Sequence, residues 1–416
     1  MKTPASSSCS SFDSVKSIGR LLSVAAVALE LSSRTVRPEP TIDTYSTLPK
    51  KQGERKKEMS TLPSFAPWDM NRSTFAQLLD CYPHTLRESC KRRLIVTAER
   101  KYSKHPERLD RNDPVFDKKA DEVVELDRWR WDVLPQTMKN RQEEDKKEKE
   151  KEEKNSDQML EPGEEYEGIF MHKDEAIKLL DWKLKRGRFR PQLGGMIKTN
   201  KPVVMRKTTA DAYKAIVNKK PSRDSIEETF PKTSLDMLTA PLRAVGPAMA
   251  SLILAVGTEG QANEIPFFSD ELFLWLCVDW FPCSERNRAN YEKAARLVRE
   301  DGSGLNLKYN ILEYRQLYEE AVKLHERINS EEEIAKDKSD NGRQFTTSDM
   351  DRVAYVLQHL AASNFPNAAE IMKQDAISKQ EAQEKKKEDD EDDEEEEGKK
   401  RKADWHKRGK TKKMKT

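Results

Sequence analysis

Three groups of residues combine types and spacing that could do chemistry. The first is Leu238-Thr239-Ala240-Pro241-Leu242-Arg243-Ala244-Val245-Gly246-Pro247-Ala248-Met249-Ala250-Ser251. Leu238 and Leu242 precede a tight Val245-Gly246 turn, and Pro247 takes the first-turn position that proline favours in a new helix. Such a turn sets backbone N–H groups at a helix N-terminus, where unpaired donors and the positive dipole end hold an anion. The second group, Trp182-Lys183-Leu184-Lys185-Arg186-Gly187-Arg188-Phe189-Arg190, places five cations among two aromatics in nine residues. Cations neutralise phosphates and aromatic faces stack on bases; Lys198, Lys201, Arg206 and Lys207 extend the patch. The third is Asp270, a carboxylate after Ser269 and ahead of an apolar run. Each has a plainer use: an αα-corner that only packs core, a solvated basic loop, and a charge that favours a helix dipole.

The hairpin resembles the helix-hairpin-helix motif of the DNA glycosylase superfamily, which reads Leu-Pro-Gly-Val-Gly ahead of a small-residue helix. The likeness continues in Ile265-Pro266-Phe267-Phe268-Ser269-Asp270-Glu271-Leu272-Phe273-Leu274-Trp275, where that superfamily delivers its essential aspartate at a similar distance. The block also resembles a family of uncharacterised eukaryotic, largely fungal, proteins, through Asp181 to Pro191 and Tyr309 to Tyr314. Together the resemblance runs from about Asp174 to Leu360. Hairpin, basic-aromatic run and basic tail in one chain point to a domain that grips DNA or RNA backbone at Val245, Gly246 and Ala248, beside Lys183, Lys185, Arg186, Arg188 and Arg190; the resemblance adds the readings that follow. It also implies an alternative, a monofunctional DNA N-glycosylase using Asp270, and a third, a degenerate fold kept as an interaction scaffold. Ala244 stands at the first turn glycine of the pattern, and the step from Pro266 to Asp270 is longer than usual. Ala248 replaces the lysine nucleophile of bifunctional members, and Schiff-base chemistry needs that amine, so lyase activity is not expected at this position.

The elements that must position these groups read as helices. Phe75, Leu78, Leu79 and Tyr82 share a helical face after cap candidates Ser73 and Thr74. Val123 to Trp131 suits a short amphipathic helix. Ile177, Leu180 and Leu184 recur at helical spacing; Thr208 or Thr209 caps a helix through Ala212, Ala215 and Ile216. Further helices are expected from Asp270 to Asp279, from Tyr291 to Arg299, and from Tyr309 to Ile328. The stripe of that last helix is Tyr309, Leu312, Leu317, Ala321, Leu324 and Ile328. Ser348 with Asp351 reads as a capping-box variant opening a helix through Val353, Ala354, Leu357 and Leu360. The aromatic group Phe267, Phe268, Phe273, Trp275, Trp280 and Phe281 suits core packing, with one ring available to line a base pocket. Strand-like alternation is nearly absent, so the fold class is all-α.

Composition sets the limits. Of 416 residues 35% are hydrophobic and 36% charged, with mean hydropathy −0.91, so parts of the chain cannot offset their ordering entropy by burial. The division expected is a disordered leader (1–60), a helical segment (61–140), a charged linker (141–162), the hairpin domain (163–375) and a disordered acidic and basic tail (376–416). The tail's basic clusters, Lys399 to Lys402 and Lys407 to Lys415, resemble a nuclear import signal. A nuclear location with the import machinery as partner follows; a mitochondrial one through the Arg- and Lys-bearing leader is the alternative. No apolar run reaches the length of a membrane span, and five scattered cysteines make no disulfide framework. Cys277 and Cys283 lack a second pair at zinc spacing, and no P-loop or dinucleotide fingerprint is visible. No metal or cofactor is expected.

Overall fold

The computed structural model describes residues 63–141, 143, 168–187, 190–283, 297, 307–337, 342–377 and 380. The expected leader, most of the linker, Arg188, the helix expected from Tyr291 to Arg299 (residue 297 apart) and the tail beyond 380 lie outside the described residues. Those described form helices and connections with no strand, so the domain is all-α as its patterning predicts. In chain order the helices are α1 (Arg72–Asp80), α2 (Tyr82–Lys101) and α3 (Pro114–Arg128), which runs through a π turn, Trp129–Val133, to residue 141. Then come α4 (Lys173–Arg186), α5 (Pro191–Ile197), α6 (Pro202–Lys214), α7 (Lys232–Thr239) and α8 (Pro247–Thr258). Next come α9 (Asp270–Val278), α10 (Ile311–Ile328), α11 (Glu331–Lys336) and α12 (Thr347–Gln358); a single short turn of helix, Ile226–Thr229, precedes α7, and residues 368–377 are helical after α12.

Helix α8 carries no charge, and every residue from Ala248 to Thr258 is buried. A helix apolar all round belongs at the centre. Around it pack α6, α7 and α10, while α9 lies against α10 and α12, and α12 covers α1 and α2. Buried side chains of the first helices, Phe75, Leu78 and Leu86, join one cluster with Leu252, Trp275, Tyr314 and Val353. No helix among the described residues is long and apolar enough to cross a membrane.

Several local expectations shift. Asn71 caps α1, its Oδ1 accepting from the Thr74 amide at 2.7 Å, so neither Ser73 nor Thr74 is the cap. Helix α6 opens at Pro202 after Lys201; Thr208 and Thr209 lie inside it, and the Thr209 hydroxyl donates back to the Met205 carbonyl at 2.9 Å. Thr346 and Asp349 form the capping box of α12, which leaves Ser348 and Asp351 free for longer-range partners. On α10 Leu312 is 78% exposed although it was expected on the stripe. It stands five residues before Leu317, about 140° round the helix, and Tyr314 takes the buried place.

Candidate functional site

Helices α7 and α8 meet at residues 240–246. Ala244 adopts the left-handed conformation there (φ 63°), which costs a residue with a Cβ about 1–2 kcal/mol. Asn200, buried at the end of α5, holds the strained turn. Its Oδ1 accepts from the Arg243 amide at 2.9 Å and its Nδ2 donates to the Arg243 carbonyl at 3.0 Å. Val245 turns its side chain into the core. Gly246 is the extended residue that caps α8 (φ −90°, ψ −179°), and Pro247 opens the helix as expected. The Gly246 carbonyl accepts from the Met249 and Ala250 amides, both at 2.9 Å. The Gly246 and Ala248 amides have no acceptor among the described residues. A Cβ built on Gly246 would meet nothing within 4 Å, so this stretch of backbone borders open space.

The connection from α8 to α9 is pinned by hydroxyls at three points. The Ile265 amide donates to Thr258 Oγ1 at 3.0 Å, the Phe268 amide to Ser251 Oγ at 3.0 Å, and the Tyr314 phenol to the Pro266 carbonyl at 2.8 Å. Ser269 then caps α9, accepting from the Leu272 amide at 3.1 Å while donating to Asp351 Oδ1 at 2.5 Å. Asp270 therefore stands at the first position of α9, half-buried, with its Oδ1 accepting from the Tyr309 phenol at 2.7 Å. Burial, reinforced by the charge of Asp270, pushes the Tyr309 phenol well above its ordinary value. It stays a donor at any physiological pH.

Turn and carboxylate border one cavity of about 350 Å³. Gly246 and Ala248 contribute to its wall together with Asp270 and Tyr309, and Lys183, Arg190 and Lys308 bring cations to it. The Lys183 ammonium lies 5.3 Å from the centre of the Phe267 ring, so one ring of the aromatic group does line the cleft. Lys183 has no ion pair or hydrogen bond among the described residues. Burial pulls its ammonium below the ordinary lysine value; the charge of Asp270 pulls upward, Arg190 and Arg186 downward, and Glu271 upward. The Arg190 guanidinium sits 5.0 Å above the Tyr309 ring. Burial likewise raises the Glu271 carboxyl, against the attraction of Arg186.

The basic run is divided by its helix rather than presented as one loop. Trp182 to Arg186 form the last turn of α4, with Trp182 and Leu184 in the core. Lys185 points outward and pairs with Asp181 at 2.9 Å. Arg186 is buried, paired with Asp351 at 2.9 Å and stacked 4.5 Å from the Tyr355 ring. Among the described residues, Lys183 and Arg190 are the cations of the run that reach the cleft without a carboxylate of their own; Arg188 lies outside them. Sequence reasoning missed Asn200 and Tyr309 as parts of the site. Nothing local distinguishes Asn200, whereas Tyr309 was visible only as a helix start.

The arrangement can hold an anion on free amides, neutralise it with two or three cations, and present a fixed carboxylate within the same nucleotide-sized space. Comparison with protein-family models, curated proteins and solved structures returns no match, so the meaning of the cleft rests on its own geometry.

Proposed function

We propose that this chain binds the phosphate backbone of DNA or RNA at the α7–α8 turn and takes one nucleotide into the adjoining cleft. The observation that carries this reading is the pair of acceptor-free amides at Gly246 and Ala248, opening on a cavity lined by Lys183, Arg190 and Lys308. Anions bind such helix starts, and base-independent phosphate contacts fix register without reading sequence. A helix-hairpin-helix module of the glycosylase kind, working in the nucleus, is the setting that fits. The test is an anisotropy titration of the full chain with labelled duplex and single-stranded DNA at low and moderate salt. Binding should weaken as salt rises. Gly246→Val, whose Cβ enters open space, should unfold like the wild type yet bind about tenfold more weakly, the equivalent of one charge-assisted contact. Wild-type affinity in that variant, or no binding at low salt, overturns the reading.

The position of Asp270 favours a second, catalytic reading. A carboxylate oriented by a protonated phenol inside a nucleotide-sized cavity can stabilise a developing sugar cation or orient water beside an extruded base. Under this reading the chain is a monofunctional N-glycosylase. Base release from lesion-bearing duplexes should fall at least about 100-fold in Asp270→Asn; equal rates would end Asp270's candidacy.

A further inference from the structure

We infer that the cleft has a second polyanionic ligand within the same chain: the acidic run Glu388 to Glu397 docks on its basic rim and competes with nucleic acid. The competition rests on the nucleotide reading of the cleft, whereas the docking needs only its charge. The run is ten successive carboxylates and lies outside the described residues. Like charges so close together repel, and cations brought against them relieve that repulsion. The surface that offers such cations is gathered at the α7–α8 turn. Lys183, Arg190 and Lys308 border the cavity. The clamp of Asn200 on Arg243 ties the end of α5 to the same turn, which sets exposed Lys198, Lys201 and Arg243 beside it. Among the described residues none of these six has a carboxylate within ion-pair distance. On other faces Arg87, Arg315 and Lys336 each hold two carboxylates. Asp270 and Glu271 are the carboxylates of the cavity wall, so the surplus around the turn is positive. The acceptor-free amides of Gly246 and Ala248 add donors that a carboxylate fills as readily as a phosphate.

Chain length permits the contact. The Cys283 amide donates to Asp375 Oδ1 at 3.0 Å, which fixes the helical stretch before Ile377 beyond the end of α9. The cleft lies at the start of that nine-residue helix. Nine helical residues span about 13 Å, and the five from Val278 to Cys283 add at most about 18 Å. The eleven steps from Ile377 to Glu388 reach up to about 38 Å, enough to return along α9 and lay the run across the rim. A ligand tethered by so short a linker acts at roughly millimolar effective concentration, so a weak contact still fills the site. A rim filled nine-tenths of the time, on the order assumed for the test, binds an outside anion about tenfold more weakly.

The test uses the full chain and a full-length variant with Asp→Asn and Glu→Gln throughout 388–397. Carbodiimide joins carboxylates to amines in contact. In the wild type it should couple the acidic run to Lys198, Lys201 or Lys308, at a yield independent of protein concentration, as mapped by peptide mass spectrometry. At low salt the variant should bind labelled single-stranded DNA about tenfold more tightly than the wild type, and the gap should narrow as salt rises. The cross-link is read on the wild type, so it decides the docking whatever the variant does. Cross-links confined to the flanking lysines of 385–387 and 399–402 overturn the docking. Tighter binding by the variant without cross-links to the rim is general repulsion, and overturns it too. Equal affinities of the two chains overturn the competition and leave nucleic-acid binding intact. Binding by neither chain at low salt ends the nucleotide reading and the competition with it, and the cross-link map then settles the docking alone.

Discussion

Glu264 shows what one buried residue does to stability. Its Oε1 accepts from the Ser348 amide at 3.0 Å and the Ser348 hydroxyl at 2.6 Å, and the side chain is almost fully enclosed. Burial pushes its carboxyl up to about 7, the two serine donors pull it down, and the charge of Glu259 adds to the rise. Between pH 4.5, the unperturbed value, and pH 7 the folded chain keeps a proton that the unfolded chain has released. Stability therefore falls as pH rises through that window, by about 3 kcal/mol in all. Glu264→Gln keeps an acceptor oxygen for Ser348 and removes the titration. Denaturant melts should give equal stability for variant and wild type near pH 4.5, and a more stable variant above pH 7. Parallel pH curves would show that the raised carboxyl has no energetic consequence. Nothing around Glu264 in the sequence announces this, because Ser348 is supplied from 84 residues away.

At the scale of elements, the close approach of α6 to α8 depends on Gly257. A Cβ there would lie 2.3 Å from Cε1 of Tyr213, and that ring is fixed by its phenol donating to the Ile253 carbonyl at 2.7 Å. Gly257→Ala gains up to about 1 kcal/mol of helix propensity but overpacks a buried contact at about 1–3 kcal/mol. Net destabilisation is expected, seen as a lower urea midpoint with an unchanged slope; an unchanged or higher midpoint would mean that α6 yields freely. Much at this scale was legible in the sequence. Pro247 after Gly246 marked the start of α8, the apolar run after Ser269 marked α9, and its Asp270 start was read directly. Those signals are local: a proline ring, a missing Cβ, a periodic stripe. Caps were less legible, since Asn71, Ser73 and Thr74 compete within four positions and the choice falls to whichever oxygen reaches an amide. Ser348 looked like a cap because its strongest partner, Glu264, is remote. The clamp of Asn200 on Arg243 was hidden for the same reason, spanning 43 residues.

The whole molecule is tied together by polar groups that composition presents as surface charge. Arg186, in a basic run, reads as a phosphate contact until Asp351 appears beside it, 165 residues on. Its Nε also donates to the Tyr82 phenol at 3.2 Å, and Tyr82 donates to Asp127 Oδ1 at 2.8 Å. The same oxygen accepts from the indoles of Trp131 at 3.1 Å and Trp182 at 2.8 Å. Through Asp351 and Ser269 the network reaches the start of α9 and so the aim of Asp270. Other bonds bind the same early segment to late helices. The Trp275 indole donates to the Phe65 carbonyl at 2.9 Å, Arg327 to the Pro67 and Met70 carbonyls, and Arg72 to those of Ile328 and Arg343. A fragment restricted to 163–375 would lose Asp127, Tyr82 and the apolar faces of α1 to α3. Trp182 and Arg186 would each lose a hydrogen-bond partner, at about 1–3 kcal/mol apiece, and the core face of α12 would be bared to water. A domain's whole margin is about 5–15 kcal/mol. The fragment should therefore show no cooperative thermal transition and little near-UV dichroism, while the full chain shows both. A sharp transition within a few degrees of the full chain's would mean that the later helices form a self-sufficient core and that the early segment only decorates it.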